Sequence, residues 1–447
     1  MANMRIAYLM HFYPPTPCGG AGYYTANLAE AFVRTGAKVS VLCTDQWGQG
    51  GRYLNGFVDE TRNGVAIRRL HVNWKKASRP FDWLYDSPVL GEQTRKFLDQ
   101  FQPDIVHVSS CYTLSARPIF VAKELNLPVV MHLHDYWPIC ARLTLLHKDY
   151  AICSGPDTAW KCQECLLTGT KAWQLASRVT QPQWRKRMFA ALAKSDWATR
   201  QPGLRGMMGD LQRRRQFLIA ATDRSDLLIT PTHFAREMLE QHGVTKGRIQ
   251  VIPYGNPLEW RSDVKRIPPQ RSLRIGFLGN VIPIKGVHIL IEAFQRLLHE
   301  NQPIELAIWG NLEMNSDYVR SLQEQCPDGV VWGGRYQRSD LPHILRELDV
   351  IVVPSICYET QGIVIQEAFA ASVPVIVSAS SSLTESVLDG INGLHFEMGS
   401  VRDLADKLRR LVEETGLLDQ FRSKVPSVRT IEHDVEEYSR LYAALLA

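Results

Sequence analysis

Short apolar runs alternate with helix-length amphipathic segments along the first half of the chain. Segment 22–35, for example, places Leu28, Ala31 and Phe32 on one helical face. The alternation is typical of a mostly parallel sheet with helices on both faces, and such sheets bind ligands beyond the carboxyl ends of their strands. The apolar runs that predict strands are 5–10, 38–43, 104–108, 127–132 and 226–230.

The same pattern starts again at Ser272, after a stretch that is rich in proline and charge. We therefore expect a second doubly wound α/β unit, with further helices over 401–418 and 432–446. The strands predicted there are 273–278, 304–309, 329–332, 349–353 and 373–377. The predicted division is a first domain over 1–256, a linker over 257–271, a second domain over 272–425 and a C-terminal helical segment over 426–447.

The composition is that of an ordinary water-soluble protein. Of the 447 residues, 45% are hydrophobic and 22% are charged, and no apolar run approaches the ~20 residues of a membrane span. The chain enters its first strand directly after Met4, without the layout of a signal peptide. Nine cysteines, an odd number in a long chain, favour a reducing compartment over a disulfide framework. These features predict a cytoplasmic protein.

The stretch 354–371 carries the clearest chemistry. It joins two apolar strands, and a helix is predicted to start near Gly362. Free backbone N–H groups and the positive dipole end of that helix suit a phosphate. Glu359 precedes the helix, where a sugar attached to the phosphate would reach, and Glu367 lies in its second turn, where a carboxylate accepts from both hydroxyls of a ribose.

Two further clusters follow predicted strands of the first domain. Gly20 and Gly22 open a helix, so the backbone there can approach a phosphate closely. His134 lies where a strand gives way to a loop, which is the ligand edge of such a sheet. His107 and His132 are predicted to be structural.

Four cysteines lie in the segment that follows His134. The pair Cys162 and Cys165 has the spacing of half a tetrahedral zinc site, which Cys140 and Cys153 would complete. The alternative is that all four are free thiols in a packed loop, and the sequence leaves both readings open. In either case they are architectural rather than catalytic.

An insert at about 138–222 contains a strongly basic region. Residues 166–222 hold eleven Lys and Arg against two Asp, so the rest of the chain has a net charge of −4. Trp184, Met188 and Leu192 form one helical stripe within it. A basic amphipathic helix with tryptophans can lie on an anionic membrane. The alternative is a stripe that packs on the sheet beneath a solvated basic face. No motif for nucleic-acid binding accompanies the charge.

The second domain resembles the nucleotide-sugar site of the retaining glycosyltransferases of family 4. The resemblance rests on a spaced sequence motif: Pro354-Ser355, Glu359, Glu367-Ala368, Glu385 and Asp389-Gly390-Ile391-Asn392-Gly393. It implies the GT-B fold, in which two Rossmann-like domains face each other across a cleft. It also implies a retaining transfer of a hexosyl-type sugar from a nucleotide-diphosphate sugar, with no metal required for the chemistry.

The resemblance assigns roles to individual residues. Lys285 and the amides of 362–364 (Gly362, Ile363, Val364) would bind the diphosphate, and Glu367 the ribose. His134 and Glu359 would orient the donor sugar, with Gly20 and Gly22 facing the phosphates. Asp135 and Tyr136 are candidates for acceptor binding.

One position departs from the family. An arginine usually follows Gly279, but this chain has Asn280, so one of two cations at the diphosphate is missing. Arg335 is the predicted substitute. The departure also leaves a second reading open, a lapsed GT-B protein that binds a nucleotide sugar or glycan and serves as a scaffold. Another GT-B enzyme, such as an epimerase or phosphorylase, fits the paired glutamates less well. The predicted acceptor is a glycan or a lipid-linked glycan, in the assembly of a surface polysaccharide.

Overall fold

The computed structural model describes residues 3–45, 48–147, 149–156, 159–167, 180–201, 209–244, 247–257, 272–380 and 382–447. The predicted linker 257–271 therefore lies almost wholly outside the described residues. The chain divides into two compact units, one formed by 1–255 with 431–447 and the other by 256–430. The last helix thus belongs to the first unit.

Among the described residues, the first unit contains a sheet of eight strands in the order β3-β4-β2-β1-β5-β6-β7-β8. All neighbouring strands are parallel except β3 and β4, which form an antiparallel hairpin at one edge. The strands are β1 (Arg5–Leu9), β2 (Lys38–Thr44), β3 (Leu54–Arg62), β4 (Val65–Val72), β5 (Ile105–Val108), β6 (Val129–His132), β7 (Leu227–Thr230) and β8 (Ile249–Val251).

The helices of the first unit connect these strands. Every residue of β5, β6 and β7 is buried, as expected for central parallel strands covered on both faces. The helices are Gly20–Arg34, Asp82–Tyr85, Pro88–Phe101, Arg117–Glu124, Ala159–Leu167, Pro182–Ala193, Asp196–Arg200, Leu211–Arg224, His233–Gln241 and Ile431–Leu446, with a 3-10 turn over Trp74–Lys76.

The second unit is a parallel sheet of six strands among its described residues, in the order β11-β10-β9-β12-β13-β14. Its strands are β9 (Leu273–Leu278), β10 (Ile304–Trp309), β11 (Val331–Gly334), β12 (Val350–Val353), β13 (Val375–Ser378) and β14 (Gly393–Phe396). Its helices are Val287–His299, Ser316–Gln325, Leu341–Arg346, Ile363–Ala370, Leu383–Ser386, Val401–Glu413 and Leu417–Ser423, with 3-10 turns over Pro283–Lys285 and Arg338–Asp340.

An apolar core lies on each face of this second sheet. On one face, the helices Val287–His299 and Val401–Glu413 pack together over β9 and β10. On the other, Leu341–Arg346 and Ile363–Ala370 cover β12 and β13. The two cores hold the loops at the carboxyl edge of the sheet in place.

The sequence-based prediction differs from the structure in several places, including the short strands β8 and β14, which were not predicted. The hairpin of β3 and β4 was missed because β3 is almost entirely exposed and has no apolar run. The helix predicted over 401–418 begins at Val401 as predicted but ends at Glu413, and another helix begins at Leu417. Gly416 separates them in a left-handed conformation, with φ of +84°, which an L residue rarely adopts.

Candidate active site

Two loops of the second unit are held against each other at the carboxyl edge of the sheet. The 3-10 turn that follows β9 ends at Gly286, with φ of +68°, and a Cβ there would lie 1.9 Å from the carbonyl oxygen of Pro354. Only glycine permits this approach. The amide of Ile356 also donates a hydrogen bond of 2.9 Å to the carbonyl of Ile284. The turn after β9 and the loop after β12 therefore form one surface.

On this surface, Lys285 and Glu359 form an ion pair. Lys285 Nζ lies 2.6 Å from Glu359 Oε1, and their side chains are 31% and 14% exposed. The hydroxyl of Ser355 donates to the same oxygen at 2.7 Å. The hydroxyl of Ser382 donates to the Glu359 carbonyl at 2.8 Å, which fixes the backbone of the loop.

The environment keeps both members of the pair charged. Burial raises the pKa of Glu359, but the charge and hydrogen bond of Lys285 outweigh it, so the net pKa is lowered. Burial lowers the pKa of Lys285, but Glu359 outweighs it, so the net pKa is raised. Among the described residues, every side-chain hydrogen bond to the Glu359 carboxylate goes to Oε1. Oε2 is left to accept from a ligand, and Nζ retains two N–H groups.

The helix Ile363–Ala370 begins next to this pair. Gly362 caps it without a side-chain hydrogen bond. The amides of Ile363 and Val364 make no hydrogen bond with any described residue, as the first N–H groups of a helix require. These amides are available to an anion.

Glu367 projects from the second turn of the same helix, as predicted. Burial raises the pKa of its carboxyl to about 7, and the positive charge of Arg338 opposes that rise only in part. Arg338 lies on the short turn Arg338–Asp340 and also donates to the side chain of Asn256. The sequence reading missed Arg338, because an arginine in a short polar turn carries no pattern of its own.

Gly279, Asn280 and Arg335 follow the carboxyl ends of β9 and β11, which are separated by β10 in the sheet. Gly279, with φ of +144°, directly follows β9, and its carbonyl would clash with a Cβ at Gly310, at 1.7 Å. Asn280 follows it and is half-buried. Arg335 follows β11, is 56% exposed and pairs with Glu313 at 2.8 Å. Among the described residues, no hydrogen bond or ion pair joins Arg335 to Lys285 or Glu359.

In the first unit, the helix Gly20–Arg34 starts at the predicted glycine turn. A Cβ on Gly22 would lie 2.4 Å from Cys18 Cβ, so this turn requires glycine for packing. Two residues later, the hydroxyl of Tyr24 donates a 2.8 Å hydrogen bond to Asp434 on the last helix.

His134 is buried, 6% exposed, at the end of β6. Its Nδ1 lies 2.7 Å from the hydroxyl of Tyr254, and its ring stacks on His132 with centroids 3.9 Å apart. Burial, followed by the charges of neighbouring histidines, lowers the pKa of His134 well below 6.5. The imidazole is therefore neutral at pH 7 and can donate or accept a hydrogen bond without carrying charge.

The two predicted acceptor residues differ in burial: Asp135 is half-buried and Tyr136 is buried. Asp135 accepts a hydrogen bond of 2.8 Å from the amide of Trp137, and burial raises the pKa of its carboxyl to about 6. Tyr136 is only 1% exposed and is part of the packed interior. His107 and His132 bond to Tyr442 and Tyr438 of the last helix, which agrees with structural roles.

Sequence comparison decides the family. A family profile described as "Glycosyl transferase 4-like domain" matches residues 19–255, more than half of the chain, and one described as "Glycosyl transferases group 1" matches 260–427. The chain belongs to the glycosyltransferases. An uncharacterized glycosyltransferase of Methanocaldococcus jannaschii is 32% identical over 98% of this chain and 95% of that protein.

Other proteins are similar to this glycosyltransferase over shorter spans or in fold. The lipopolysaccharide 1,2-N-acetylglucosaminetransferase of Salmonella typhimurium is 26% identical over 43% of this chain and 56% of that protein. HepE of Anabaena, solved in complex with UDP, is 16% identical, with a TM-score of 0.65 over 99% of this chain and 100% of that one. The predicted fold class, two Rossmann-like domains of the GT-B type, is confirmed.

Four of the nine cysteines of this glycosyltransferase, Cys140, Cys153, Cys162 and Cys165, line one small cavity. The thiols of Cys153 and Cys165 donate to the carbonyls of Gly155 and Leu146, at 3.6 and 3.9 Å. Within the described part of the chain, no group of three or more His, Cys, Asp or Glu is arranged to hold a metal ion. The zinc hypothesis is therefore not supported, and the cysteines are free thiols in a packed segment.

The basic region is divided between structural and exposed positions. Lys171, Trp173, Arg178 and Arg205 lie outside the described residues. Three consecutive arginines, 213–215, bond within the unit, to Asp82, to Trp137 and to His242 respectively. In the predicted stripe, Trp184 is 56% exposed and Met188 and Leu192 are half-buried, so the stripe is only partly packed. Trp197, outside the stripe, is 67% exposed. No helix among the described residues is both long and apolar enough to cross a bilayer.

Proposed function

We propose that the protein is a retaining glycosyltransferase that moves a hexosyl-type sugar from a nucleotide-diphosphate sugar to a glycan or lipid-linked acceptor. The observation that carries the proposal is the Lys285–Glu359 pair. It presents two N–H groups and one carboxylate oxygen beside a helix N-terminus with free amides, the combination that a sugar diphosphate needs.

The donor would bind in the second unit. The remaining N–H groups of Lys285 and the amides of Ile363 and Val364 would hold the diphosphate. The Glu367 carboxylate would accept from both ribose hydroxyls. That HepE was solved with UDP and with UDP-glucose supports a uridine nucleotide as the first donor to test.

The chemistry would depend on stabilising the departing diphosphate. Lys285 and the helix amides would supply positive charge where negative charge develops, so no metal ion is required for that role. Oε2 of Glu359 and the neutral imidazole of His134 would orient the sugar. The leaving phosphate oxygen would take the proton of the acceptor hydroxyl as the new glycosidic bond forms on the same face of the sugar.

The acceptor would come from the assembly of a surface polysaccharide, as the Salmonella lipopolysaccharide relative suggests. The exposed Trp184 and Trp197, with the exposed Arg187, Lys194 and Arg200 around them, would contact an anionic membrane surface from the cytoplasmic side. The protein would then be peripheral to the membrane.

A donor screen tests the proposal. Thermal shift and donor hydrolysis are measured with UDP-, GDP-, ADP- and dTDP-sugars, on the wild type, on Glu367→Ala and on Glu324→Ala. Glu324 is an exposed glutamate of the same unit, so its variant should behave as the wild type. Stabilisation and hydrolysis with one nucleotide, lost only in Glu367→Ala, are expected.

The alternative, a lapsed glycosyltransferase that binds a nucleotide sugar as a scaffold, derives from Asn280. It predicts donor binding without hydrolysis or transfer to any acceptor. Absence of a response to every donor in folded protein would overturn the proposed donor site itself.

A further inference from the structure

A second cavity lies in the first unit, apart from the groups assigned to the donor. Its volume is ≈390 Å³, within the range of small-molecule sites. Its walls include Trp74, Phe81, Tyr112, Trp137, Arg142 and Arg214.

The cavity lies at the carboxyl edge of the eight-stranded sheet. Trp74, Tyr112 and Trp137 follow the carboxyl ends of β4, β5 and β6, which run parallel to one another within that sheet. In α/β sheets this edge is where ligands bind. Trp137 also connects the cavity to Asp135, since its amide donates to the Asp135 carboxylate.

Arg214 is a buried cation that makes no salt bridge among the described residues, although its charge acts on the Asp135 carboxyl and partly opposes the rise in that group's pKa. It is 4% exposed, on the helix Leu211–Arg224, and donates to the carbonyl of Trp137 at 2.5 Å. Its guanidinium also lies 5.5 Å from the centroid of the Trp137 ring. Among the described residues it forms no ion pair, and burial lowers its pKa to about 10. A buried charge of this kind is stabilised by an anion that binds beside it.

Arg142 provides a second guanidinium on the same cavity. Its Nε is buried and makes no hydrogen bond, and within the described part of the chain its side chain forms no ion pair. Two planar guanidinium groups in one cavity suit a phosphate, which each can hold through two N–H groups. The aromatic walls suit the apolar face of a sugar ring.

We propose that this cavity binds a phosphorylated sugar as the acceptor, with the phosphate on Arg142 and Arg214 and the sugar against Trp74 and Trp137. The proposal rests on the proposed glycosyl transfer, which it deepens by assigning the acceptor class. The phosphate belongs either to a free sugar phosphate or to a lipid-linked one, since both present the same group.

Binding is measured without donor, so that the test does not depend on transfer. Calorimetry on the full chain compares glucose 1-phosphate, inorganic phosphate and glucose, with the wild type, Arg142→Ala, Arg142→Lys and Arg52→Ala. Arg142 carries the test because the buried Arg214 cannot be removed safely. Arg52 is an exposed arginine of the same unit and serves as the matched control.

Glucose 1-phosphate should bind more tightly than glucose, and Arg142→Ala should weaken its binding by about tenfold or more. Arg142→Lys should recover part of the affinity, and Arg52→Ala should bind as the wild type does. Equal binding of glucose and glucose 1-phosphate, or equal loss in Arg52→Ala, would overturn the proposal.

A second arm identifies the source of the phosphate. Flotation with phosphatidylcholine vesicles, with and without a polyprenyl phosphate sugar, compares the wild type with Arg142→Ala. Arg142-dependent binding to the phosphate-bearing vesicles alone identifies a lipid-linked acceptor, whereas binding of glucose 1-phosphate alone identifies a free one. Absence of Arg142-dependent binding in both arms overturns the proposal. If the sugar phosphate binds but no nucleotide sugar does, the proposed transfer fails while this site stands.

Discussion

Lys285 Nζ and Glu359 Oε1 lie 2.6 Å apart, although 74 residues separate them in the chain. The contact forms because Gly286 lets the turn after β9 approach the carbonyl of Pro354. The Ile356–Ile284 hydrogen bond then fixes the two loops in register. The candidate donor site is thus a product of loop packing, and the predictions below begin with it.

Glu359→Gln should reduce kcat by roughly a hundredfold or more while leaving the fold intact. The amide keeps the shape of the side chain and can still accept from Lys285, but it removes the negative charge that holds Lys285 and the sugar. Steady-state transfer and circular dichroism check the two parts. Glu324→Gln is the matched control, and near-normal turnover in Glu359→Gln would rule out the assignment.

Glu367 should make donor binding depend on pH. Its folded pKa of about 7 lies above the ordinary value of 4.5. The ionised form, which accepts from both ribose hydroxyls, therefore accumulates only as the pH rises through about 7. UDP affinity measured by calorimetry between pH 5.5 and 8.5 should rise across that range in the wild type and stay flat in Glu367→Gln. Identical profiles would contradict this role.

Glu367 should also make the stability of the fold depend on pH, but stability should fall with rising pH whereas donor affinity rises. Because the pKa of Glu367 is raised in the folded state, that state binds the proton more tightly than the unfolded state does. The resulting contribution to the free energy of unfolding is fully present below pH 4.5 and is lost as the pH rises through about 7. The loss is at most about 3 kcal/mol. Urea unfolding at several pH values should show Glu367→Gln gaining stability over the wild type above pH 7 but not near pH 4.5. A gain that is independent of pH would contradict the raised pKa.

Asp349→Ala should destabilise the second unit by about 3–5 kcal/mol. Asp349 is fully buried and accepts from Arg274 at 2.9 and 3.0 Å and from Arg422 at 2.8 Å. Its removal leaves the buried Arg274 guanidinium without its carboxylate. Asp317→Ala is the control: Asp317 pairs with Arg320 at the surface, and its loss should cost about 1 kcal/mol or less. Equal losses in urea unfolding would contradict the difference in burial.

Tyr24→Phe should destabilise the first unit by about 1–3 kcal/mol. The substitution removes the 2.8 Å hydrogen bond to the fully buried Asp434. It keeps the ring, which stacks on Tyr254 with centroids 4.3 Å apart. The adjacent Tyr23 is 52% exposed, so Tyr23→Phe should stay within about 0.5 kcal/mol of the wild type. The two variants are compared by thermal and urea unfolding, and a larger effect at Tyr23 would contradict the assignment.

The sequence predicted the central elements well because their pattern is local. Strand 5–10 is observed as Arg5–Leu9, and the helix predicted near Gly362 begins at Ile363. Apolar runs mark buried parallel strands wherever they occur, and the positions of Glu359 and Glu367 relative to their helix follow from chain distance alone. The exposed strand β3 lacks that signal, and its place in the sheet comes from pairing with the largely buried β4.

The sequence by itself thus determined two α/β units and the loop and helix between Pro354 and Ala371. Only the tertiary structure decided which distant groups meet: Lys285 with Glu359, Arg338 near Glu367, and Arg142 with Arg214 on one cavity. It also decided that the thiols of Cys153 and Cys165 donate to backbone carbonyls. Periodicity reports which face of an element is buried, whereas contacts between loops depend on backbone approach and packing that no local pattern encodes.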